Sequence, residues 1–461
     1  MKALVAIGAT IVMCSVPPAR AADFGSDCCA DLEERIAELE ATTARKGNRK
    51  VSLKVSGQIN QAILVWDDGV ERNAYQVMNS NSSDRFRFEG RAKISKDLEA
   101  GYYLEIGART ASSSGVDQLS DESGGNTVRP RNSVWYLRSE ALGAVSVGLA
   151  AAATDDVLSY NLGGSNVAGS ADIAGVGGGF FTRDSGGGLN NLSSGNTMSL
   201  RWRRFAAEVE TPNANLVRYD SPVFMGFAAS AAWGRDDFWD VALRYAKKGK
   251  LFSVAAGIGY YENRTEEQDS FGWPPGGDNE PNNGGTVVRE YKGSASILHV
   301  PSGVFVSGAY LHREFSGLDP GMTTFACFTS PDAALVRAAG VPCTNRPDLD
   351  YYWLNAGIRR QFSSLGWTSI YGEYARSMDA VTGLNVSVAS AGSGDIDYVT
   401  SSSMQMWGFG IVQHIAAAQM DLYLSYRRYS AEVSGIEADG TPVAAPIDDI
   451  DLIMAGSRIR F

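Results

Sequence analysis

Three arginines of one short stretch, Arg85, Arg87 and Arg91, stand at odd-numbered positions between residues 84 and 94, where the even-numbered positions are mostly apolar. Alternate side chains of a β-strand point to the same face. The three guanidinium groups would therefore form a row of positive charge on a polar face. Such a row acts through the electric field that it creates, without any covalent step.

Acid–base and nucleophilic chemistry have little support in the sequence. The histidines are His299, His312 and His414, and we expect them at a tight turn, an outer rim and another tight turn, with no serine and carboxylate arranged around them. The glycine-rich run 175–179 has neither the preceding strand nor the following helix of a nucleotide-binding loop. We therefore predict that the protein is not an enzyme and binds no cofactor or metal ion.

The first 21 residues predict the compartment. They combine Lys2, an apolar run, two prolines and a small-residue triplet that ends at Ala21, as in a cleaved secretory signal peptide. Loss of Lys2 and Arg20 takes the formal net charge from −11 to −13, which argues against nucleic acid as a partner. No later window holds 18 consecutive apolar residues, so the exported chain is expected to be either soluble or a β-barrel.

Cysteines occur in three groups. Cys14 lies in the signal segment. Cys28 and Cys29 are adjacent, lack metal-ligand spacing and receive no role. Cys327 and Cys343 lie in one loop of an exported chain, where the compartment is oxidising, so we predict a disulfide that pins this loop.

Residues 22–50 contain the one convincing helix, from residue 31 to residue 40. Leu32, Ile36 and Leu39 fall on one face of it at coiled-coil spacing. About two heptads are too short to be stable alone. We expect this periplasmic stripe to pack either on the body of the same protein or in a short coiled coil between identical subunits.

From residue 51 onward the sequence is organised as amphipathic strands whose connections alternate between tight turns and mostly long loops. A soluble Greek-key protein has no reason to place every short turn at one end. We therefore predict that residues 51–461 form an all-β, 16-stranded antiparallel up-and-down transmembrane β-barrel, preceded by the short helix. The predicted strands are 51–65, 84–94, 101–110, 132–139, 144–150, 213–220, 225–233, 238–246, 251–261, 286–298, 303–313, 350–361, 367–376, 402–414, 420–430 and 449–461.

Residues 151–212 do not follow this pattern. The segment is polar and glycine-rich, and at roughly 60 residues it is too long for a plain connection in a compact soluble domain. We predict that it folds into the space that the strands enclose. Its part 200–205 is compatible with either a strand or a helix, which leaves the end of the infolded loop open.

Three local features resemble a known family. The run 29–51 resembles the segment that precedes the barrel in alphaproteobacterial general porins, and the run 213–227 is similar to the hairpin after the constriction loop of trimeric porins. The last four residues, 458–461, resemble the assembly signal of outer-membrane barrels. The resemblance implies a homotrimeric porin of the Gram-negative outer membrane, in contact with lipid and lipopolysaccharide. Its loop 151–212 would narrow a water-filled channel for passive diffusion of small hydrophilic solutes and ions.

A basic wall and an acidic loop would then face each other in the channel. Each arginine can instead hold the loop by a salt bridge, and each loop acid can be an ordinary solvated residue. We expect neutral residues at positions 87 and 91 to shift the ion preference toward cations. The expected basic wall is Arg85, Arg87, Arg91, Arg109 and Arg218. The expected acidic residues of the constriction loop are Asp155, Asp156, Asp172 and Asp184.

Two other functions stand as alternatives to passive diffusion. A solute-specific outer-membrane channel would show saturable flux for one class of substrate. A structural or adhesion barrel would act through its long outer loops. Ion conductance in a planar bilayer separates this last alternative from a channel.

Overall fold

The computed structural model describes residues 51–122, 127–191, 198–207, 209, 211, 213–234, 237–264, 287–316, 347–382, 386–387, 395–396, 398–437 and 441–461. Three predicted features lie outside these residues: the signal peptide, the helix stripe of Leu32, Ile36 and Leu39, and the disulfide between Cys327 and Cys343.

Sixteen antiparallel strands form one closed sheet. Two of them are interrupted, so that β2 consists of β2a and β2b, and β16 of β16a and β16b. The strands are β1 (Ser52–Asp67), β2a (Arg72–Met78), β2b (Arg85–Lys93), β3 (Leu98–Arg109), β4 (Thr127–Ser139), β5 (Gly143–Ala150), β6 (Ala214–Asp220), β7 (Phe227–Gly234), β8 (Trp239–Lys248), β9 (Phe252–Asn263), β10 (Val287–His299), β11 (Val304–Ser316), β12 (Leu349–Ser363), β13 (Gly366–Met378), β14 (Tyr398–Ile415), β15 (Met420–Ile436), β16a (Pro442–Asp448) and β16b (Ile450–Arg460).

Strand β1 closes the barrel. Its Gln61 lies opposite Met78 of β2a, and its Gln58 lies opposite Arg460 of β16b. Each other strand pairs with the next along the chain. The predicted 16-stranded barrel is therefore confirmed. The prediction missed β2a and β16a. The half-strand β2a carries polar, exposed residues on both faces and lacks the alternation that identified the others.

The alternating pattern places apolar side chains on the outer face. On β1, Val55, Ile59 and Ile63 are exposed, whereas Asn60 and Leu64 on the opposite face are fully buried inside the barrel. A closed sheet pairs every N–H and C=O group of its strands, so its outer face can stand in lipid. Exposed aromatic residues near strand ends are typical of the girdles at membrane interfaces. They include Trp135, Tyr219, Phe227, Trp233, Trp239 and Phe362.

The turn between β1 and β2a spans only residues 68–71 at one end of the barrel, whereas the predicted set of short turns lies at the other end. Two of them, between β2b and β3 and between β4 and β5, are linked by the carboxylate of Asp97, which accepts hydrogen bonds from the Ser139 hydroxyl (2.6 Å) and the Glu140 N–H (3.0 Å). The Ser139 bond, together with those from the N–H groups of Ala141 and Glu140, holds the pKa of Asp97 below its usual value.

Helical structure in the described residues is short. The helix α1 (Trp202–Phe205) is a single turn, so a helix rather than a strand occupies most of the region 200–205. Among the described residues no helix is long and apolar enough to cross a membrane. Single 3₁₀ turns occupy Ser80–Ser82, Ile173–Gly175 and Ala416–Ala418, and two-residue strands occupy Arg183–Asp184, Met198–Ser199, Val386–Ser387 and Asp395–Ile396.

Candidate functional site

The described residues of the segment 151–212, here called the inner segment, lie inside the barrel. Its Ile173, Phe180 and Leu200 are fully buried, and they belong to one apolar cluster with inward-facing wall residues such as Trp353 of β12. The ring of Phe180 lies 5.2 Å from that of Trp66 on β1. Burial of such a side chain contributes roughly 1.5–3 kcal/mol. The inner segment is therefore packed like a core and does not hang loosely in the lumen.

The beginning of the inner segment is fixed by two charged wall residues. The buried carboxylate of Asp240 on β8 accepts hydrogen bonds from the N–H groups of Ala153 (3.1 Å) and Thr154 (2.6 Å), and from the Thr154 hydroxyl. On the same strand, a guanidinium nitrogen of Arg244 donates to the carbonyl oxygens of Ala153 and Asp155. These bonds satisfy backbone groups that would otherwise be unpaired where the chain leaves the sheet.

The middle of the inner segment rests on a buried ion pair. Arg427 of β15 and Glu373 of β13 are 2.8 Å apart, and their side chains are 1% and 0% exposed. The same guanidinium group donates to the carbonyl oxygens of Ser170 and Ile173. The Tyr429 hydroxyl lies 2.9 Å from the Ile173 carbonyl oxygen. One pair of opposite charges thus joins two strands to the inner segment.

Glycines let the inner segment lie directly on aromatic wall residues. A Cβ atom at Gly163 would overlap the ring of Phe305, and a Cβ atom at Gly169 would overlap the ring of Tyr371. Only a residue without a Cβ atom permits so close an approach. The glycine content that made this segment stand out in the sequence therefore has a packing cause at these positions.

The end of the inner segment meets a second buried cluster. Lys292 of β10 donates a hydrogen bond to the Thr211 hydroxyl and lies 3.0 Å from Glu290, which also pairs with Arg313 of β11 at 2.6 Å. All three charged side chains are buried. The described contacts of the inner segment follow the wall from β8 to β16a, and they continue to Trp66 of β1 and to residues 112–118, which come after β3. The wall formed by β2b, β3 and β4 carries the partly exposed Arg87 and Arg131.

Three arginines of the wall formed by β2b, β3 and β4 converge on one glutamate. Glu105 of β3 lies 2.5 Å from Arg87, 2.8 Å from Arg131 and 3.6 Å from Arg85. Sequence reasoning identified Arg85 and Arg87 but missed Arg131 and Glu105. Glu105 lies directly opposite Arg87 in the register of β2b and β3. Its polar position within the predicted strand 101–110 was therefore the signal that could have revealed it.

The other predicted arginines have different surroundings. Arg91 lies on the same face of β2b, closer to the short turns, and is exposed. Arg109 is the last residue of β3, and its side chain lies outside the described part of the structure. Arg218 of β6 pairs with Asp220 at 2.8 Å and donates to the carbonyl oxygens of Ala151 and Ala152. It thus contacts the start of the inner segment.

The four predicted loop acids are dispersed along the inner segment. Asp155 is half-buried, and Asp156 is exposed with a φ of 60°, in the left-handed region. Asp172 helps to line a cavity of about 210 Å³, together with Arg129 and Arg131 of β4. Asp184 is buried, and its carboxylate accepts hydrogen bonds from the N–H groups of Gly186 and Gly188. Of the four, Asp172 is the one that lines a cavity together with arginines of the barrel wall.

The histidines lie in three separate places. His299 bonds Ser302 at a short turn, His312 bonds Asp350 near the opposite end of the barrel, and His414 bonds Asp421 near another short turn. Within the described ranges, no group of three or more His, Cys, Asp or Glu residues is placed to hold a metal ion.

The family sequence model described as Gram-negative porin matches residues 9–434, which is most of the chain. Comparison with curated protein sequences gives no match.

Several solved outer-membrane proteins share the fold. An anion-selective porin from Comamonas acidovorans is 17% identical, with 89% of this chain and 100% of that chain covered and a TM-score of 0.52. OprB of Pseudomonas putida is 10% identical, with 94% and 97% covered and a TM-score of 0.51. OmpT of Vibrio cholerae, in its trimer form, is 12% identical, with 89% and 99% covered and a TM-score of 0.50. At these identities the likeness concerns the fold alone.

Proposed function

The chain belongs to the Gram-negative porin family and forms an outer-membrane channel for passive diffusion, and we propose that its inner segment sets the width and the field of this channel. Family and fold point to a channel rather than an enzyme. In a water-filled barrel, the rate and selectivity of solute passage depend on the narrowest cross-section and on the charges around it.

One observation carries the proposal. The inner segment contacts the wall from β8 through β16a and β1 as well as residues 112–118, and a cavity of about 210 Å³ lies between its Asp172 and the side chains of Arg129 and Arg131 on β4. We assign Arg85, Arg87, Arg91 and Arg109 to the basic wall of the passage. Arg218, by its contacts with the start of the inner segment, would position that segment.

Different roles are proposed for the loop acids. Asp172 would face the passage, because it lines the cavity beside two arginines. Asp184 would stabilise a turn within the inner segment, because its carboxylate is occupied by two backbone N–H groups. Asp155 and Asp156 would add negative charge near the start of the segment, where Asp156 is exposed.

The inner segment can be tested by removing it. Replacing residues 155–176 with a short Gly–Ser linker takes away the part that the Arg427 and Tyr429 side chains hold. We expect the single-channel conductance in a planar bilayer to rise at least about twofold and larger sugars to enter liposomes faster, because the narrowest section is widened. Equal conductance and an equal size limit in the two proteins would contradict the proposal. Heat-dependent migration on a gel serves as the control for folding.

We further propose that the protein is a homotrimeric general porin of the alphaproteobacterial type, exported with residues 1–21 as its signal peptide. The resemblance of the run 29–51 to the segment before the barrel in such porins supports this assignment. The stripe of Leu32, Ile36 and Leu39 would pack between subunits, and Cys327 and Cys343 would pin an outer loop. Deletion of residues 31–45 is expected to lower the temperature at which the oligomer dissociates on a semi-native gel. An unchanged dissociation temperature would exclude a role of the helix in assembly.

A further inference from the structure

We infer that the channel favours anions, because arginines that outnumber the carboxylates beside them form a track from the basic wall to the barrel end that carries the short turns. This inference rests on the proposed function, since it names the class of solute that the same passage favours. It concerns small inorganic anions and small carboxylate or phosphate solutes.

The first part of the track is the cluster around Glu105. Three guanidinium groups surround this single carboxylate, so the four charges sum to an excess of positive charge. The exposures differ in the same sense: the side chain of Glu105 is 2% exposed, whereas those of Arg87 and Arg131 are 39% and 31% exposed. A solute that approaches this wall therefore meets guanidinium groups before it meets the carboxylate.

The second part repeats this arrangement near the short turns. Asp421 of β15 accepts hydrogen bonds from Arg458 (2.8 Å) and Arg460 (3.2 Å) of β16b. The Asp421 side chain is 1% exposed, whereas that of Arg460 is 41% exposed. Again the negative charge is covered and the positive charge is accessible.

Two neighbouring serines join the two parts. Arg85 donates to the Ser83 carbonyl oxygen at 3.0 Å, and Arg458 donates to the Ser82 hydroxyl at 3.0 Å. The adjacent Asp84 is buried, and its carboxylate accepts hydrogen bonds from the Asn60 N–H and the Gln61 side-chain amide. The arginines thus form one track along β4, β2b and β16b, in which Arg85 and Arg458 are mostly buried, with side chains 16% and 19% exposed. Asp84 is covered, whereas Glu89, on the same face of β2b as Arg87 and Arg91, is half-buried and offsets one positive charge.

The field of this track would act on ions in the passage. The cavity beside Arg131 and Ser83 is lined by one acidic side chain, Asp172, and by two guanidinium groups. Positive charge therefore also exceeds negative charge in the cavity lining. Charge of one sign on low-dielectric walls raises the local concentration of ions of the opposite sign. The net charge of −11 for the whole chain does not oppose this effect, because charges farther away than about 10 Å are screened at 0.1 M salt.

The test is the reversal potential of the full-length protein in a planar bilayer with a tenfold KCl gradient. We expect the permeability ratio of chloride to potassium to be above about 2 at 0.1 M salt and to fall toward 1 near 1 M, where screening is stronger. The variant Arg87→Gln/Arg460→Gln removes one partly exposed charge from each part of the track and leaves other arginines on each carboxylate. It is expected to lower the ratio roughly twofold. If it does not refold, Arg460→Gln alone gives the same test with a smaller shift.

A matched control is Arg72→Gln. This arginine is 74% exposed and pairs with Asp67 at the end of the barrel opposite the short turns, away from the track, so its loss is expected to leave the ratio unchanged. A conducting wild-type channel with no preference or a preference for potassium would overturn the inference and leave the proposed function standing. A track variant that keeps the wild-type ratio would also overturn the inference. Folded protein without any conductance would instead overturn the proposed function.

Discussion

The charges that hold the inner segment differ from those that face the passage in how completely they are paired. Arg427 and Glu373 neutralise each other at full burial, and the remaining donors of Arg427 bind the backbone of the inner segment. The arginines around Glu105 outnumber their carboxylate and are partly exposed. Burial and charge balance therefore separate anchoring residues from solute-facing residues.

The buried pair gives a quantitative prediction. Glu373→Leu leaves the guanidinium group of Arg427 buried without its partner, which is expected to lower the free energy of unfolding in detergent by about 3–5 kcal/mol. Glu373→Leu/Arg427→Met removes both charges and is expected to cost less than the single change. The control is Arg428→Met, which removes a partly exposed pair with Asp449 and is expected to cost at most about 1 kcal/mol. Equal losses for Glu373→Leu and Arg428→Met would contradict the anchoring role.

Individual residues of the basic wall were predictable only where the strand is regular. Arg85 and Arg87 follow strict alternation on β2b, so their shared face could be read from the sequence. Arg131 escaped prediction because the pairing of β3 with β4 shifts between Glu105 and Ile106, and Arg131 lies in the resulting irregularity. An extra residue of this kind breaks the two-residue period on which the prediction depends.

At the scale of elements, the two interrupted strands lie where the wall meets the inner segment. Between β2a and β2b, the Asn79 side chain donates to the Val167 carbonyl oxygen at 2.7 Å. On the other interrupted strand, Ile447 and Asp448 of β16a pair with Asp184 and Arg183. The strands themselves were predictable from their alternation and from the turns between them. The interruptions were not, because their partners lie far away in the sequence.

The link between two short turns predicts a local dependence on pH. The pKa of Asp97 is lowered, so its hydrogen bonds are present above the ordinary carboxyl value of 3.8 and are lost as the pH falls through the lower folded value. We expect the amide of Glu140 to be protected from hydrogen exchange at about pH 6 and to lose protection near pH 2, whereas Asp97→Ala removes that protection at both pH values. The amide of Gly303, which bonds the His299 carbonyl oxygen, serves as the control. Constant protection of Glu140 across this range would exclude the link.

At the scale of the whole molecule, the barrel architecture could be predicted from the sequence more completely than the contacts in the barrel interior. Alternating strands and short turns at one end require a closed barrel once the chain is exported, because open edges are not stable in lipid. The length and composition of the segment 151–212 predicted that it folds inward. The contacts that hold its described residues could not be predicted, since Asp240, Glu373 and Arg427 lie on strands far along the chain, and their contacts depend on the closed sheet.

The central claim is that the strands enclose a water-filled passage through the outer membrane. It is tested most directly by recording single channels of the purified protein in a planar lipid bilayer while the KCl concentration is raised from about 0.5 M to about 3 M. We predict stepwise openings whose conductance increases in proportion to the salt concentration, as expected for ions that move through water. Folded protein that inserts into the bilayer but gives no steps, or a conductance that does not change with salt, would contradict the account.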